Sequence, residues 1–458
     1  MKARVVVVGA GLTGLTVAYR LLQRDDPPDV TVLEAGDTPG GVIRSVRVGE
    51  LEVEAGPDSF LVRKPWAVDL CRELGLGDDL VEQGSTVAQI LTPRGLLPVP
   101  AGRLGIAASA GDVWRWKGMS VGGRLREIAE PVVPRRRSER DESIGSLSRR
   151  RLGRSATESI VAPLLGGLSA GDVDRLSVHA TFPELVRWER DLGSLRAGAR
   201  RARASTGEAS RSSPFATVRG GLHRIVDELV ARIGPDRVRT GVPVRGVGRD
   251  GDGFAVSTDT GPEPATAVVV TTPAPAAADL IGALAPDVAV HLARIRTAST
   301  AVAVLVYADG TGERLPNASG FVAQRSLGLP ITAATALSRK WPDAASGSRA
   351  VLRAFVGGIG LESQLAWTDE EILARAAEAL GRVYGLPAPV DARLVRWPDA
   401  MPQYEVGHLE RIAAISRALP GGLHVAGSAI GGVGIPDRIR EGGAIAERVA
   451  AAIYPGIA

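Results

Sequence analysis

Cysteine is almost absent. Cys71 stands alone in 458 residues, so no intramolecular disulfide can form and no cysteine-based metal cluster can be built. The five histidines, His179, His223, His291, His408 and His424, are scattered without an HxxxH-type spacing, and no metal site is expected. Lysine occurs only at Lys2, Lys64, Lys117 and Lys340, whereas arginine, alanine, glycine and proline are plentiful, a bias of GC-rich coding more than of function. Long apolar runs are missing too: none reaches the ~18 residues of a minimal membrane span. The most apolar window, Ala265 to Pro286, is broken by Pro273, Pro275 and Asp279. The apolar run Val5–Val8 is too short for a signal peptide and passes straight into glycine. A cytoplasmic protein is the expectation, with peripheral contact to a membrane surface left open. A formal charge of only +4 argues against a nucleic-acid partner despite a pI near 9.5. At this length two or three lobes are expected.

What is present begins at once. Arg4–Val8 reads as a buried parallel strand and runs into Gly9, Ala10, Gly11, Leu12, Thr13 and Gly14, followed by helical spacing at Leu15, Ala18, Leu21 and Leu22. Val30–Leu33 is a second strand, ending at Glu34 and Ala35, at the distance a βαβ nucleotide unit requires. Gly9 permits the tight turn, Gly11 lets backbone approach a pyrophosphate, and Gly14 lets helix pack on strand. The helix N-terminus offers free N–H groups and partial positive charge to phosphates. Glu34 can accept from both ribose hydroxyls and would repel a 2′-phosphate, which disfavours NADP. This motif alone does not separate FAD from NAD. Gly40 and Gly41 followed by Arg44 suit a loop around the far side of a pyrophosphate, which Arg44 can hold bidentately. The strand-like Leu51–Glu54 leads into Gly56, Pro57, Asp58 and Ser59, a turn able to bring backbone against a flavin ring.

Further along, residues 65–83 read as a helix and turn, and Val87–Leu91 with Leu96–Val99 as a hairpin. Residues 103–210 are mainly helical and arginine-rich. The windows 134–154 and 196–211 read as solvated helix faces and linkers, the second as a mobile loop, with attraction of a polyanion or an anionic surface as the sharper alternative. The chain then returns to the first domain: Gly220 and Gly221 open a helix, Val238–Val247 and Phe254–Ser257 read as a meander, and Ala267–Val270 as another buried strand. Val242, Val244, Thr271 and Thr272 are cofactor-contact candidates there. Residues 298–396 alternate as strands around one helix, Asp369 to Val383. Finally Gly422–Gly427, the glycines to Gly434, Ile435 and Pro436, and a helix from Glu441 to Ile453 form a second strand–loop–helix unit. Gly427, Gly434, Ile435 and Pro436 are candidates there for placing a helix N-terminus near flavin N1, where reduced flavin is negative. No internal repeat is visible, and no Ser/His/Asp set or paired-carboxylate signature.

The combination of Gly40–Ser45, Gly56–Phe60, Asp141–Gly145, Arg151–Gly153, Ala170–Asp172, Met401–His408 and the ending Gly427–Pro436 resembles the porphyrinogen oxidases of haem biosynthesis, over nearly the whole chain. The resemblance implies an α/β fold of the flavin amine oxidase-like superfamily. Its Rossmann-like FAD-binding domain would be built from discontinuous segments (1–85, 211–295 and 406–458). A helical lobe would join part of a sheet-based substrate domain at 86–210, and that domain would continue over 296–405. It also implies FAD as cofactor and removal of six electrons and six hydrogens from a porphyrinogen, with O2 reoxidising the flavin to give peroxide. No protein acid or base is required, since flavin N5 would accept hydride. Animal and plant protoporphyrinogen oxidases carry a propionate-binding arginine where Val87–Gln89 aligns here. Coproporphyrinogen III, a tetracarboxylate, is therefore the expected substrate and protoporphyrinogen IX the alternative. Tyr307, Phe321 or Phe355 are candidates to face the macrocycle, with ordinary core positions the favoured reading. Amine oxidase or carotenoid desaturase chemistry, and a flavin-containing porphyrin carrier, are the competing readings. The sparse aromatics (4%) and the position of Cys71 disfavour the first. A homodimer and contact with the next enzyme of the pathway stay open.

Overall fold

A computed structural model describes residues 2–205, 213–341 and 347–454. The first 33 residues fold as the valine run dictates: strands Arg4–Val8 and Asp29–Leu33 pair in parallel around the helix Leu12–Leu22. Three later segments complete this sheet. Its order is Val238–Arg239, Asp29–Leu33, Arg4–Val8, Ala267–Val270 and Leu423–Val425, every neighbouring pair parallel. Residues more than 400 apart in sequence thus share one sheet, and apolar helices cover both faces, as a fully buried parallel sheet requires. Val238–Arg239, expected in the meander, joins this sheet beside Val32 and Leu33 instead, because its short apolar stretch follows directly on the helix His223–Ile233. The meander proper is Val244–Asp250, Gly253–Thr258 and Gly261–Ala265.

A second sheet has seven strands in the order Asp391–Pro402, Thr297–Val306, Val351–Gly357, Ala333–Ala336, Gly320–Ala323, Ala88–Thr92 and Gly95–Pro98. Side-chain alternation divides it into two faces. One face, with Ala301, Leu305, Leu352 and Ala354, packs under the helix Asp369–Tyr384. That helix has a full capping box at Thr368 and Glu371, which fixes its start. The opposite face is covered twice. Val302, Val304 and Val351 pack on the hairpin Ser45–Val48/Leu51–Glu54, while Ile90 and Val322 pack on the helical lobe. Ala88 shares the Ile90 side by alternation.

The lobe corrects the reading of the arginine windows. Leu195–Ser205 is a helix, not a mobile loop, because Leu195 and Ala199 pack in the lobe core; residues 206–212 lie outside the described residues. Arg151 is fully buried rather than solvated. Its guanidinium meets the equally buried Glu130 and the carbonyls of Val133 and Gly193, both at 2.7 Å. Arg150 spans Glu189 and Glu142 at 2.5 and 2.7 Å. These charges serve the lobe's interior.

Candidate active site

Three loops meet at the carboxyl edge of the parallel sheet, the position where such folds bind nucleotides. The first is Gly9–Gly14. Gly9 has φ +103°, and a Cβ there would meet Thr271 Oγ1 at 2.8 Å. A Cβ on Gly14 would strike the Gly9 carbonyl oxygen at 2.1 Å, so this glycine is what lets helix and strand touch. Gly11 is different: a Cβ there meets nothing within 4 Å. The absence of a side chain at Gly11 serves no packing need and leaves a cradle open in front of the helix N-terminus. The Thr13 and Thr272 hydroxyls are buried and have no partner among the described residues. A pyrophosphate fits this set of open backbone and unspent donors.

Glu34 stands beside the cradle. Its Oε2 accepts from Ala10 N and its Oε1 from Gly36 N, both at 2.8 Å. Each oxygen keeps a lone pair for a ribose hydroxyl, and the two amides fix its aim. Gly40 N donates to Ala10 O at 2.8 Å, and Val242 N to the Glu34 carbonyl at 2.8 Å, which brings the Gly40–Gly41 loop and the returning chain to the same edge. Val244 begins the meander strand just beyond. Arg44 is exposed and pairs with no carboxylate among the described residues.

The second loop is Thr271–Pro273; Thr271 Oγ1 donates to the carbonyls of Val8 and Gly9 at 3.0 Å. The third is Gly427–Gly434. Gly427 has φ +123° and packs on Thr271 O. The C-terminal helix begins earlier than its spacing predicts, at Ile435, since Pro436 suits a first turn; it runs to Ile453. Gly434 caps it without a side-chain hydrogen bond, so the first-turn N–H groups are not all satisfied from within the helix.

The turn Gly56–Ser59 sits where the parallel-sheet unit meets the second sheet. The Asp58 carboxylate is buried and takes Lys340 Nζ at 2.9 and 3.1 Å and Trp341 Nε1 at 3.3 Å. Burial alone would raise its pKa, yet the facing cations Lys340 and Arg353 hold it far below the ordinary carboxylate range. Arg353 Nη1 also donates to the carbonyls of Glu54 (2.9 Å) and Gly56 (2.6 Å). The Asp58 side chain is thus committed to tying the two units together, which leaves backbone at 56–59 for a flavin. Apart from the scarcity of lysine, nothing in the residue pattern pointed to this cluster. Lys64, paired with Asp437 at 2.6 Å, and Lys340 both bridge distant segments.

Of the three macrocycle candidates, Tyr307 and Phe321 take the core reading: both are buried under the helix Asp369–Tyr384, on the far face of the second sheet. Phe355 alternates to the opposite face, half-buried, with Arg353 stacked on its ring at 5.3 Å. Just past the end of the strand, Gly358 approaches the lobe at Ala170, a non-glycine residue at φ +47°, whose carbonyl accepts from Ile359 N at 2.9 Å. Strain of that kind, about 1–3 kcal/mol, marks a functional junction more often than a neutral loop. Beside this junction a cavity of ≈ 130 Å³ is lined by Gly166, Gly167, Ala170, Arg325 and Thr332.

Residues 12–450 match the model of the flavin containing amine oxidoreductases. The chain belongs to that family. Within the family it groups with the porphyrinogen oxidases. It is 33% identical to the coproporphyrinogen III oxidase of Bacillus subtilis (strain 168), with 96% of each chain covered. It is 31% identical to that of Staphylococcus aureus (strain NCTC 8325 / PS 47), over 98% of this chain and 100% of the other. A crystal structure of an Exiguobacterium sp. 255-15 protein assigned as a protoporphyrinogen oxidase superposes with TM-score 0.88 at 31% identity, covering 98% and 99% of the two chains. This family member is an FAD-dependent oxidoreductase, and the cradle described above fits that cofactor. Among the described residues no helix is long and apolar enough to cross a membrane, and no cluster of His, Cys, Asp and Glu is arranged to hold a metal.

Proposed function

We propose that this protein oxidises coproporphyrinogen III to coproporphyrin III with O2 as terminal acceptor. The likeness, over nearly its whole length, to chains named coproporphyrinogen III oxidase carries the reading. Atoms balance when each porphyrinogen loses six electrons and six hydrogens and three O2 become three H2O2. Bound FAD supplies the two-electron acceptance that each round needs.

The chain's own task is placement. Gly9–Gly14, Glu34, Ala35 and Arg44 hold the adenosine and pyrophosphate, with Val242, Val244, Thr271 and Thr272 closing that end. Backbone at Gly56–Ser59, with Gly427, Gly434, Ile435 and Pro436, frames the flavin, whose pyrimidine edge meets the N-terminus of the C-terminal helix. Segments 1–85, 211–295 and 406–458 form this cofactor unit. The macrocycle lies on the Phe355 face of the second sheet, between the hairpin and the lobe. Arg325, whose Nη2 donates to the Gly171 and Ile359 carbonyls at 3.2 and 3.0 Å and which pairs with no carboxylate among the described residues, is a propionate partner at that junction.

Aerobic turnover tests the reading. Purified protein is given coproporphyrinogen III and protoporphyrinogen IX side by side, and porphyrin fluorescence and peroxide are followed. Preference for coproporphyrinogen III is expected. Preference for protoporphyrinogen IX keeps the chemistry and refutes the substrate. Tight porphyrin binding without peroxide identifies a carrier.

A further inference from the structure

The segment Gln403–His408 touches every part of the molecule that surrounds the flavin loop. Gln403 N donates to the Arg296 carbonyl at the base of the second sheet, and its side chain to Ser169 O in the lobe at 2.9 Å. Ser177 N of the same lobe donates to Tyr404 O at 2.7 Å, Val406 N donates to the lobe's Arg175 O at 3.0 Å, and Gly407 N donates to Asp141 Oδ2 at 3.1 Å. Glu405 is held by Arg175 at 2.7 Å and by Arg296 at 3.1 Å. From this fixed strap one side chain reaches into the Gly427–Gly434 loop. Tyr404 OH donates to Ser428 O at 2.5 Å and accepts from Gly432 N at 2.9 Å. Its ring is buried and stacked on His408, centroids 4.0 Å apart and planes 14° from parallel. Neither ring nitrogen of His408 has a hydrogen-bond partner among the described residues. An imidazole buried without partners forgoes its hydrogen bonds, at a net loss of stability. What it contributes here is a flat surface that holds the tyrosine ring in place.

Elsewhere the loop is held by its own turn, Ile430 N and Gly431 N donating to Gly427 O at 2.9 and 3.2 Å, by Arg440 Nη2 on Gly431 O at 3.4 Å, and by Ala429 in the core. Four of its eight residues are glycine, and the C-terminal helix it feeds has no side-chain cap. Glu441 Oε2 anchors the first residue, Gly427 N, at 3.0 Å. The middle of the loop is pinned at Ser428 and Gly432, and both pins are the one hydroxyl of Tyr404. The hydroxyl is in addition close to the buried cation Arg438, which Glu441 balances at 3.3 Å.

We propose that Tyr404 is a positioning residue for the flavin: its hydroxyl fixes the glycine loop in the register that presents the N-terminus of the C-terminal helix to the flavin's pyrimidine edge. The inference rests on the flavin placement given above and not on the choice of porphyrinogen. Helix N-terminal N–H groups favour negative charge over distances of about one turn. A loop free to shift therefore loses preference for the reduced, anionic flavin before it loses the flavin itself.

The test is the two-electron midpoint potential of the FAD bound to full-length Tyr404→Phe, measured with its FAD affinity and thermal midpoint. The expected result is retained FAD and a preference for reduced over oxidised flavin about tenfold weaker, a midpoint lower by about 30 mV. His408→Leu, which keeps the hydroxyl but removes the ring behind it, shifts the potential the same way by less, and serves if Tyr404→Phe does not fold. Tyr384→Phe, which removes a buried hydroxyl in the core of the second sheet, leaves the potential unchanged. A lowered thermal midpoint with wild-type potential in both Tyr404→Phe and His408→Leu would show a merely structural tyrosine and overturn the proposal. Absence of coproporphyrinogen turnover by the unmodified protein refutes the substrate reading and leaves this measurement standing.

Discussion

The cradle at Gly9–Gly14 and the arginine cluster of the helical lobe are both built around polar groups, and they use them in opposite ways. In the cradle, donors and charges are left unspent: the Thr13 and Thr272 hydroxyls have no partner among the described residues, Arg44 has no carboxylate, and Gly11 opens on empty space. Around the buried Arg151–Glu130 pair of the lobe the polar groups are spent. Glu130 accepts on Oε1 from Arg151 and from Leu195 N (2.9 Å), and on Oε2 from Ser194 Oγ (2.6 Å) and Arg196 N (3.4 Å). An abundance of charge in a sequence therefore says little about where a ligand binds; unsatisfied polar groups in a sheltered place say more.

Gly11 and Gly14, three residues apart, separate binding from stability most visibly. Gly11→Val fills the open cradle without touching protein, so FAD affinity falls by on the order of 100-fold or more, about 2.7 kcal/mol, while the apoprotein unfolds at its usual temperature. Gly14→Val drives a side chain into the Gly9 carbonyl and lowers stability itself. Flavin absorbance after dialysis and a thermal scan separate the two. Full flavin occupancy in Gly11→Val would remove the pyrophosphate from this loop.

In the lobe the largest loss comes from Arg151→Met. It strands the fully buried Glu130 carboxylate, and removing one partner of a buried pair costs about 3–5 kcal/mol. The drop is read from the urea midpoint at constant slope. A loss below about 1 kcal/mol would place the pair among ordinary surface salt bridges and cancel the contrast drawn here.

These two regions also differ in how far the sequence disclosed them. The cradle was legible because its signals are local: a valine run, glycines at fixed spacing and Glu34 at the end of the next strand all fall within the first 34 residues. The return of Ala267–Val270 and Leu423–Val425 to the same sheet was legible from their apolar runs into polar or glycine turns. The lobe was not. Burial of Arg151 depends on two segments, Glu130–Val133 and the turn at Gly193, converging on its helix, and periodicity on one helix cannot show that. Tyr307 and Phe321 stayed open between core and macrocycle for a related reason: strand alternation assigns faces, but only the packing of the helix Asp369–Tyr384 decides which face is the core. Tyr404 and Glu441 were hidden because their partners are backbone groups, which have no letter in a sequence.

A smaller effect should appear with pH in the lobe. Glu127 is buried with one oxygen unpartnered, and burial, opposed by Arg196, pushes its pKa from 4.5 up to about 7. The folded state holds this proton longer than the unfolded chain does. Its contribution is therefore fully present below pH ~4.5 and lost as pH rises to about 7. Glu127→Gln keeps the neutral form at every pH, so it should match the parent near pH 5 and exceed it near pH 8, by at most roughly 3 kcal/mol. Parallel urea stabilities at the two pH values would mean that the carboxyl ionises freely.

The smallest expected effect falls at Arg44, and it sharpens the contrast most. Arg151 cannot be changed without loss of stability, because its charge is balanced inside the protein. Arg44 is exposed and pairs with no carboxylate among the described residues, so Arg44→Gln should leave the apoprotein's thermal midpoint where it is. Its charge is available to a pyrophosphate, and losing one charge-assisted contact at an exposed position weakens FAD by about tenfold, the low end for such bonds. Titration of FAD into the apoprotein at low and high salt reads this directly, since an exposed contact is screened and the parent's advantage should shrink as salt rises. A destabilised apoprotein with unchanged FAD affinity would move Arg44 to the lobe's side of the comparison: a charge spent on the fold, not kept for the cofactor.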